Sequence, residues 1–325
     1  ELTAKHAAAF KPNAAFFEVF GSEGMAVLRQ VIQAVPPGIP VILDAKRGDI
    51  ASSAEAYARA AFQALGATAV TVNPYLGGDS IEPFLSDPSH GAFLLCRTSN
   101  PGASTFQDLV LRGFRATGGW DRFSRQDISL YEAVAIQAQA WNTKGNLGLV
   151  VGATSPEELA RVRSLAPDLW ILSPGVGAQG GDLQAAVRAG LRADGLGMLI
   201  SISRAISRAT DPGRAAAEFR EAIQVAASHG PRLGLEEHAW FLGDALLDAG
   251  CVKFGQFRLK SGLLSPIYLD LRLLVSHPAL LAQVADAYLP VLEGLTFDRL
   301  AGLPYAALPI ATAISLRGGW PMIYP

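Results

Sequence analysis

The stretch Val41-Ile42-Leu43-Asp44-Ala45-Lys46-Arg47-Gly48-Asp49-Ile50 decides the fold. Three apolar residues, two of them β-branched, lead into a carboxylate, an ammonium and a second carboxylate. Alternation along a strand puts Asp44 and Lys46 on one face and Val41, Leu43 and Ala45 on the other. The apolar face suits packing on helices. The charged face then points inward at the C-terminal end of the strand, the rim where barrel enzymes hold their active sites. Gly48 permits a tight turn, and Asp49 adds its charge just beyond it. An ion pair at an exposed strand end would mean little. Charges aimed into an interior are costly and mark a working site.

Outward from this segment, short β-branched runs alternate with Ala-rich helical stretches. Strands are expected at Ala9–Pro12, Val41–Lys46, Ala69–Asn73, Ala92–Arg97, Leu147–Gly152, Leu169–Ser173 and Met198–Ser203. Helices are expected at Gly24–Val35, Ser52–Leu65, Ile128–Asn142, Pro156–Leu165, Gly181–Ala189 and Pro212–Ala227. Alternating βα units predict an α/β fold with a parallel sheet covered by helices. Seven strands suit a (β/α)8 TIM barrel missing its first strand, with a doubly wound open sheet as the alternative. Ser228-His229-Gly230-Pro231-Arg232 reads as a helix stop and linker. Residues 1–228 therefore form one domain and 229–325 the start of another α/β domain. In the second, a helix at Glu236–Ala249, a strand-turn-strand at Lys253–Gly262 and a strand at Ile267–Leu271 are expected. A helix at Pro278–Glu293 and a strand-turn-helix at Leu300–Leu316 follow.

Composition narrows the function. The 325 residues are 50% hydrophobic and 17% charged, with a formal net charge of −2. Residues 229–325 hold seven basic and eight acidic side chains, so both parts are close to neutral. Neither part offers a field for nucleic acid or an anionic membrane. The uncharged stretches Ala60–Gly78 and Leu300–Leu316 contain Pro, Gly and polar groups, so buried elements explain them better than membrane spans. Cys96 and Cys251 read as reduced cytoplasmic thiols. The five histidines are scattered, and no metal site is expected.

Two further segments carry chemistry. Ser173-Pro174-Gly175-Val176-Gly177-Ala178-Gln179-Gly180-Gly181-Asp182 contains G-x-G-x-x-G, a weak signal for a dinucleotide when alone. Combined with the following strand and Arg204, it reads as the phosphate grip of loops seven and eight of a barrel. Gln179 can donate from its amide and Arg204 can hold phosphate bidentately. Cys96-Arg97-Thr98-Ser99-Asn100-Pro101-Gly102 could read a polar ring edge or be plain turn chemistry.

Phe10-Lys11-Pro12-Asn13, Asp44–Ile50, Thr98–Gly102 and Pro174–Asp182, in this order, resemble orotidine 5'-phosphate decarboxylase of the longer bacterial type. The resemblance implies a cofactor-free barrel working as a homodimer on orotidine 5'-phosphate, giving UMP. It implies that Lys46 protonates C6 of the pyrimidine, Asp44 lies beside the substrate carboxylate, and Lys11 extends the charge network. Asp49 would reach into the partner's site with Ile50 beside it. Ser99 would contact the pyrimidine, and Pro174, Gln179 and Arg204 would line the phosphate. A metal-dependent sugar-phosphate synthase of the same barrel, such as a relative of 3-hexulose-6-phosphate synthase, and a non-catalytic fragment are the alternatives.

Residues 253–262, 265–272 and 302–312 resemble orotate phosphoribosyltransferase. That likeness assigns Lys260, Tyr268, Leu269 and Tyr305 to the orotate and phosphoribosyl groups. It implies magnesium only for a complete transferase. The family's basic catalytic loop and acidic pyrophosphate-binding segment have no counterpart up to Pro325, so phosphoribosyl transfer is not expected from this stretch alone.

Overall fold

The computed structural model describes residues 2–115, 127–176, 182–228, 242–243, 245–258, 262–293, 295–305 and 307–324. Contacts divide the chain into two units, Glu1–Arg232 and Leu233–Pro325.

The first unit is built on a parallel sheet. Its strands are β1 (Ile42–Arg47), β2 (Ala69–Val72), β3 (Gly91–Arg97), β6 (Leu147–Val151), β7 (Trp170–Pro174) and β8 (Met198–Ser201), hydrogen-bonded in that order. A small antiparallel pair, β4 (Val110–Leu111) with β5 (Ile128–Ser129), stands apart. The expected strand at Ala9–Pro12 is present only as two parallel bridges to the outer edge of β1, Phe10 to Val41 and Asn13 to Asp44. Pro12 explains the broken ladder: it has no N–H to donate, although its carbonyl accepts from Asp44 N at 2.9 Å. This irregular strand still sets Lys11 beside β1.

Helices flank the strands. They are α1 (Ala15–Glu18), α2 (Gly21–Gln33), α3 (Ala51–Arg59), α4 (Glu82–Leu85), α5 (Ser104–Gln107), α6 (Leu130–Trp141), α7 (Pro156–Leu165), α8 (Leu183–Gly190), α9 (Arg204–Ser207) and α10 (Pro212–Ser228). One face of the sheet buries Ile42, Ala69, Phe93, Val150 and Leu172 together, with Ala9, Leu95 and Leu199 against them. The alternate strand residues Val70, Leu94, Leu149 and Ile171 are also fully buried, as are Leu28, Ile136, Leu159 and Val187 from helices. A parallel sheet covered on both faces requires such near-continuous apolar strands. At the sheet's other edge, Met198 and Ile200 pack with Val187, Leu191 and Ala226 of the α8–α10 region.

Several helix boundaries differ from expectation: α2 runs Gly21–Gln33 instead of Gly24–Val35, α8 runs Leu183–Gly190 instead of Gly181–Ala189, and two further differences stand out. Residues 128–129 are strand, because Ser129 and Glu132 form a capping box that starts α6 at Leu130 and leaves Ile128 outside it. The helix expected to run from Ser52 to Leu65 is α only to Arg59 and continues as one π turn, Ala60–Ala64.

In the second unit β9 (Val252–Arg258) and β10 (Leu264–Leu269) form one antiparallel hairpin. The separate strand expected at Ile267–Leu271 is thus the return arm of that hairpin. It stops where Asp270 caps a 3-10 turn over Leu271–Ser276. Pro266 is tolerated because β10 has a single neighbour and its register shifts there. Helices Pro278–Glu293 and Ala307–Gly318 follow, and a parallel pair joins β11 (Leu300–Ala301) to β12 (Met322–Ile323). Cys251, Leu274, Leu280, Val284, Ala285, Ile310 and Ile314 form its core. Among the described residues no helix is long and apolar enough to cross a membrane. The expected helix start at Glu236 lies outside the described residues.

Candidate active site

The C-terminal end of β1 gathers three charges. Lys11 Nζ donates to Asp44 Oδ2 at 2.7 Å, and Lys46 Nζ donates to Asp44 Oδ1 at 2.6 Å. Asp44 is only 9% exposed, whereas the Lys46 side chain is half exposed. Burial pushes the Asp44 carboxyl up. The Lys11 ammonium, and then Lys46, outweigh it and hold the group below the ordinary carboxylate range. A carboxylate shared by two ammoniums stays ionised and fixes both cations.

The backbone between Asp44 and Lys46 is not a regular strand. Leu43 pairs with Val70 and Arg47 with Val72, so β1 spends two extra residues against β2. Lys46 itself is left-handed at φ 48. Such a conformation is uncommon for a residue with a Cβ and persists where its surroundings enforce it. Here Thr71 of β2 does so. Its Oγ1 accepts from Ala45 N at 3.0 Å and Lys46 N at 2.9 Å, and donates to Asp44 Oδ1 at 3.1 Å. Sequence reasoning missed Thr71. The available signal was a polar residue inside the otherwise apolar strand Ala69-Val70-Thr71-Val72.

Asp49 and Ile50 follow the turn. Asp49 Oδ1 accepts from Ile50 N at 2.8 Å, which leads into α3, and Ile50 is 55% exposed. Among the described residues no hydrogen bond or ion pair joins Asp49 to Lys46. Asp49 instead lines a shallow hollow of about 360 Å³ with Ser53, Ala56, Tyr57 and Ala60.

Ser99 and Arg204 lie beyond the C-terminal ends of β3 and β8, and Pro174 is the last residue of β7. In a parallel sheet that is the same end as Asp44 and Lys46. Gly152 lets Ser99 come close, since a Cβ there would sit 2.8 Å from Ser99 Cβ. The loop bearing Ser99 is braced by Gln107, whose Oε1 accepts from Thr98 N at 2.9 Å while its Nε2 donates to Thr98 Oγ1 at 2.8 Å. Arg97 adds an ion pair to Glu158 at 2.8 Å. Pro174 pairs with Ser201, and its carbonyl accepts from Ala153 N at 2.8 Å. Arg204 opens α9 and is exposed, with no ion pair among the described residues. Gln179 lies outside the described residues, as does most of the glycine-rich loop.

In the second unit Tyr268 and Leu269 sit on β10, where the Tyr268 ring lies 5.4 Å from that of Phe257. Tyr305 is 85% exposed. Lys260 lies outside the described residues.

A parallel βα sheet with an ionised lysine–aspartate–lysine chain at the strand ends defines an enzyme of the barrel class, with its chemistry at the C-terminal rim. Residues 1–219 match the family described as orotidine 5'-phosphate decarboxylase / HUMPS family, and the chain belongs to it. Among similar proteins, the orotidine 5'-phosphate decarboxylase of a Roseiflexus species is 52% identical over 207 residues, covering 63% of this chain and 71% of the relative. The bifunctional enzyme PyrF/PyrE of a Nostoc species is 35% identical, over 99% of this chain and 67% of its own length. The solved structure of Leishmania donovani UMP synthase matches with a TM-score of 0.69 and 54% identity, over 100% of this chain and 68% of that one. Both of these matches run through the second unit as well as the first.

Proposed function

We propose that residues 1–228 decarboxylate orotidine 5'-phosphate to UMP, with Lys46 as the proton donor and no cofactor. The observation that carries this reading is the buried Asp44 shared by Lys11 and Lys46 at the mouth of the sheet. The bond from C6 to the carboxylate carbon breaks, its electron pair stays on C6, and carbon dioxide leaves. Lys46 Nζ gives a proton to that carbon and regains one from water. Asp44 holds the Lys46 ammonium in place until then. An ammonium about 4 Å from the developing carbanion is worth roughly 4 kcal/mol at an effective dielectric of about 20. Enzymatic rate enhancements call for about 8 kcal/mol or more. The remainder is assigned to a preorganised site and to binding energy from the phosphate.

In this reading Ser99 touches the pyrimidine, while Pro174, Gln179 and Arg204 hold the phosphate. The enzyme is a homodimer in which Asp49 and Ile50 serve the partner's site. The exposed Ile50 and the hollow beside Asp49 support a second copy covering that face. The second unit is the first part of an orotate phosphoribosyltransferase, with Lys260, Tyr268, Leu269 and Tyr305 toward its substrates and magnesium required by the complete enzyme. Two free, buried thiols support a cytoplasmic location.

The test follows the absorbance of orotidine 5'-phosphate in metal-free buffer, with and without chelator. Turnover unaffected by chelation is expected. Activity on a sugar phosphate that chelation abolishes would favour the metal-dependent alternative. Absence of both turnover and UMP binding would mean a non-catalytic chain.

A further inference from the structure

We propose that Thr71 is a positioning residue for the decarboxylation, its hydroxyl holding the Asp44 carboxylate and the backbone of Lys46 in the one arrangement that presents the Lys46 ammonium to the substrate. The inference rests on the reading of Lys46 as proton donor.

The irregular register between β1 and β2 leaves Ala45 N and Lys46 N without ladder partners at the point where the chain turns left-handed. Both amides converge on Thr71 Oγ1, at 3.0 and 2.9 Å. That oxygen has two lone pairs and one proton, and all three are used: two amides donate to it, and it donates to Asp44 Oδ1 at 3.1 Å. The same Oδ1 takes the Lys46 ammonium at 2.6 Å. One hydroxyl thus ties together both ends of the Asp44–Lys46 unit, the main chain and the carboxylate. Thr71 is 1% exposed, so no solvent is at hand to take its place. Valine matches threonine in shape and β propensity and would serve a purely structural strand position at least as well.

Thr71→Val keeps the shape and removes the hydroxyl. It is expected to lower kcat by about 10- to 100-fold, the cost of leaving buried amides unanswered and Lys46 misaimed. KM and the affinity for UMP should stay within about threefold, because uniform binding is untouched. Thr71→Ser restores the hydroxyl and should recover most of kcat. Thr71→Cys, whose thiol is a weak donor and acceptor, should behave like valine and serves if the valine variant does not fold. Wild-type kcat in the valine or cysteine variant would overturn the inference. So would a parallel loss of UMP binding and thermal stability that serine fails to restore. Lys46→Ala is measured alongside. Normal turnover in that variant would remove the underlying reading, whereas an inactive Lys46→Ala with a fully active Thr71→Val would remove only the role given to Thr71.

Discussion

Asp44 sits between two ammoniums and a hydroxyl, and its charge state sets a pH signature. Its folded pKa is depressed, so the folded protein releases the Asp44 proton more readily than the unfolded chain does. The stability this confers is present above the unfolded value of about 3.9 and disappears as pH falls through the lower folded value. Asp44→Asn leaves Lys11 and Lys46 without a counter-charge and should cost about 2 to 3 kcal/mol at neutral pH. In urea unfolding, the gap between the two proteins should be flat from about pH 7 to 5 and narrow below about 4. A gap that widens in acid would contradict the assigned pairing. The Asp44–Lys46 pair was legible because strand alternation predicts the two side chains on one face, although the structure brings them together through a bulged backbone and not a regular strand. The bulge and the left-handed Lys46 were not, since nothing in Asp44-Ala45-Lys46 announces a register shift. Thr71 escaped for a related reason: threonine is a good strand former, and its partners lie about 25 positions away in the chain.

Elements were legible where their signals are local. Pro156–Leu165 and Pro278–Glu293 start at a proline and match the expected bounds. The start of α6 was also written in the sequence, as Ser129-Leu130-Tyr131-Glu132, but the apolar pattern running back through Ile128 masked it. What sequence periodicity does not carry is how strands β7 and β8 are held at their N-terminal ends. Arg163 of α7 is buried and makes no ion pair among the described residues. Its Nε donates to Gly190 O at 2.8 Å, Nη1 to Leu169 O at 2.7 Å and to Ala166 O at 3.0 Å, and Nη2 to Gly197 O at 3.0 Å. Burial pushes its pKa down to about 10, so it remains a cation at neutral pH. One guanidinium thereby closes the carbonyl ends around α7, α8, β7 and β8. Arg163→Met keeps apolar bulk and orphans those carbonyls. It should destabilise the first unit by about 3 kcal/mol in urea unfolding. Arg163→Lys should recover little, because a single ammonium cannot span the same fork of acceptors. Full stability of the methionine variant would show that the carbonyls find other partners.

At the scale of the molecule, the unusual feature of the first unit is what surrounds Asp49. It follows the charged strand by two residues, yet it is turned toward the Ser53–Tyr57 face of α3, and Lys46 is not among its partners in one chain. Ile50 beside it is exposed. In the proposed homodimer, Asp49 would serve the partner's Lys46, consistent with its being turned away from Lys46 within its own protomer. Mixing makes this decisive. Lys46→Ala and Asp49→Ala homodimers each carry the same defect in both sites and should be inactive. In a heterodimer of the two, one site holds both defects and the other holds neither. Purified heterodimers, each chain bearing a different affinity tag, should therefore regain about half the wild-type kcat, with an unchanged KM at the restored site. Homodimers taken through the same exchange should regain nothing. Verified heterodimers without activity would place Asp49 in its own protomer's site, and the turn after β1 would then have to swing toward Lys46 when substrate binds.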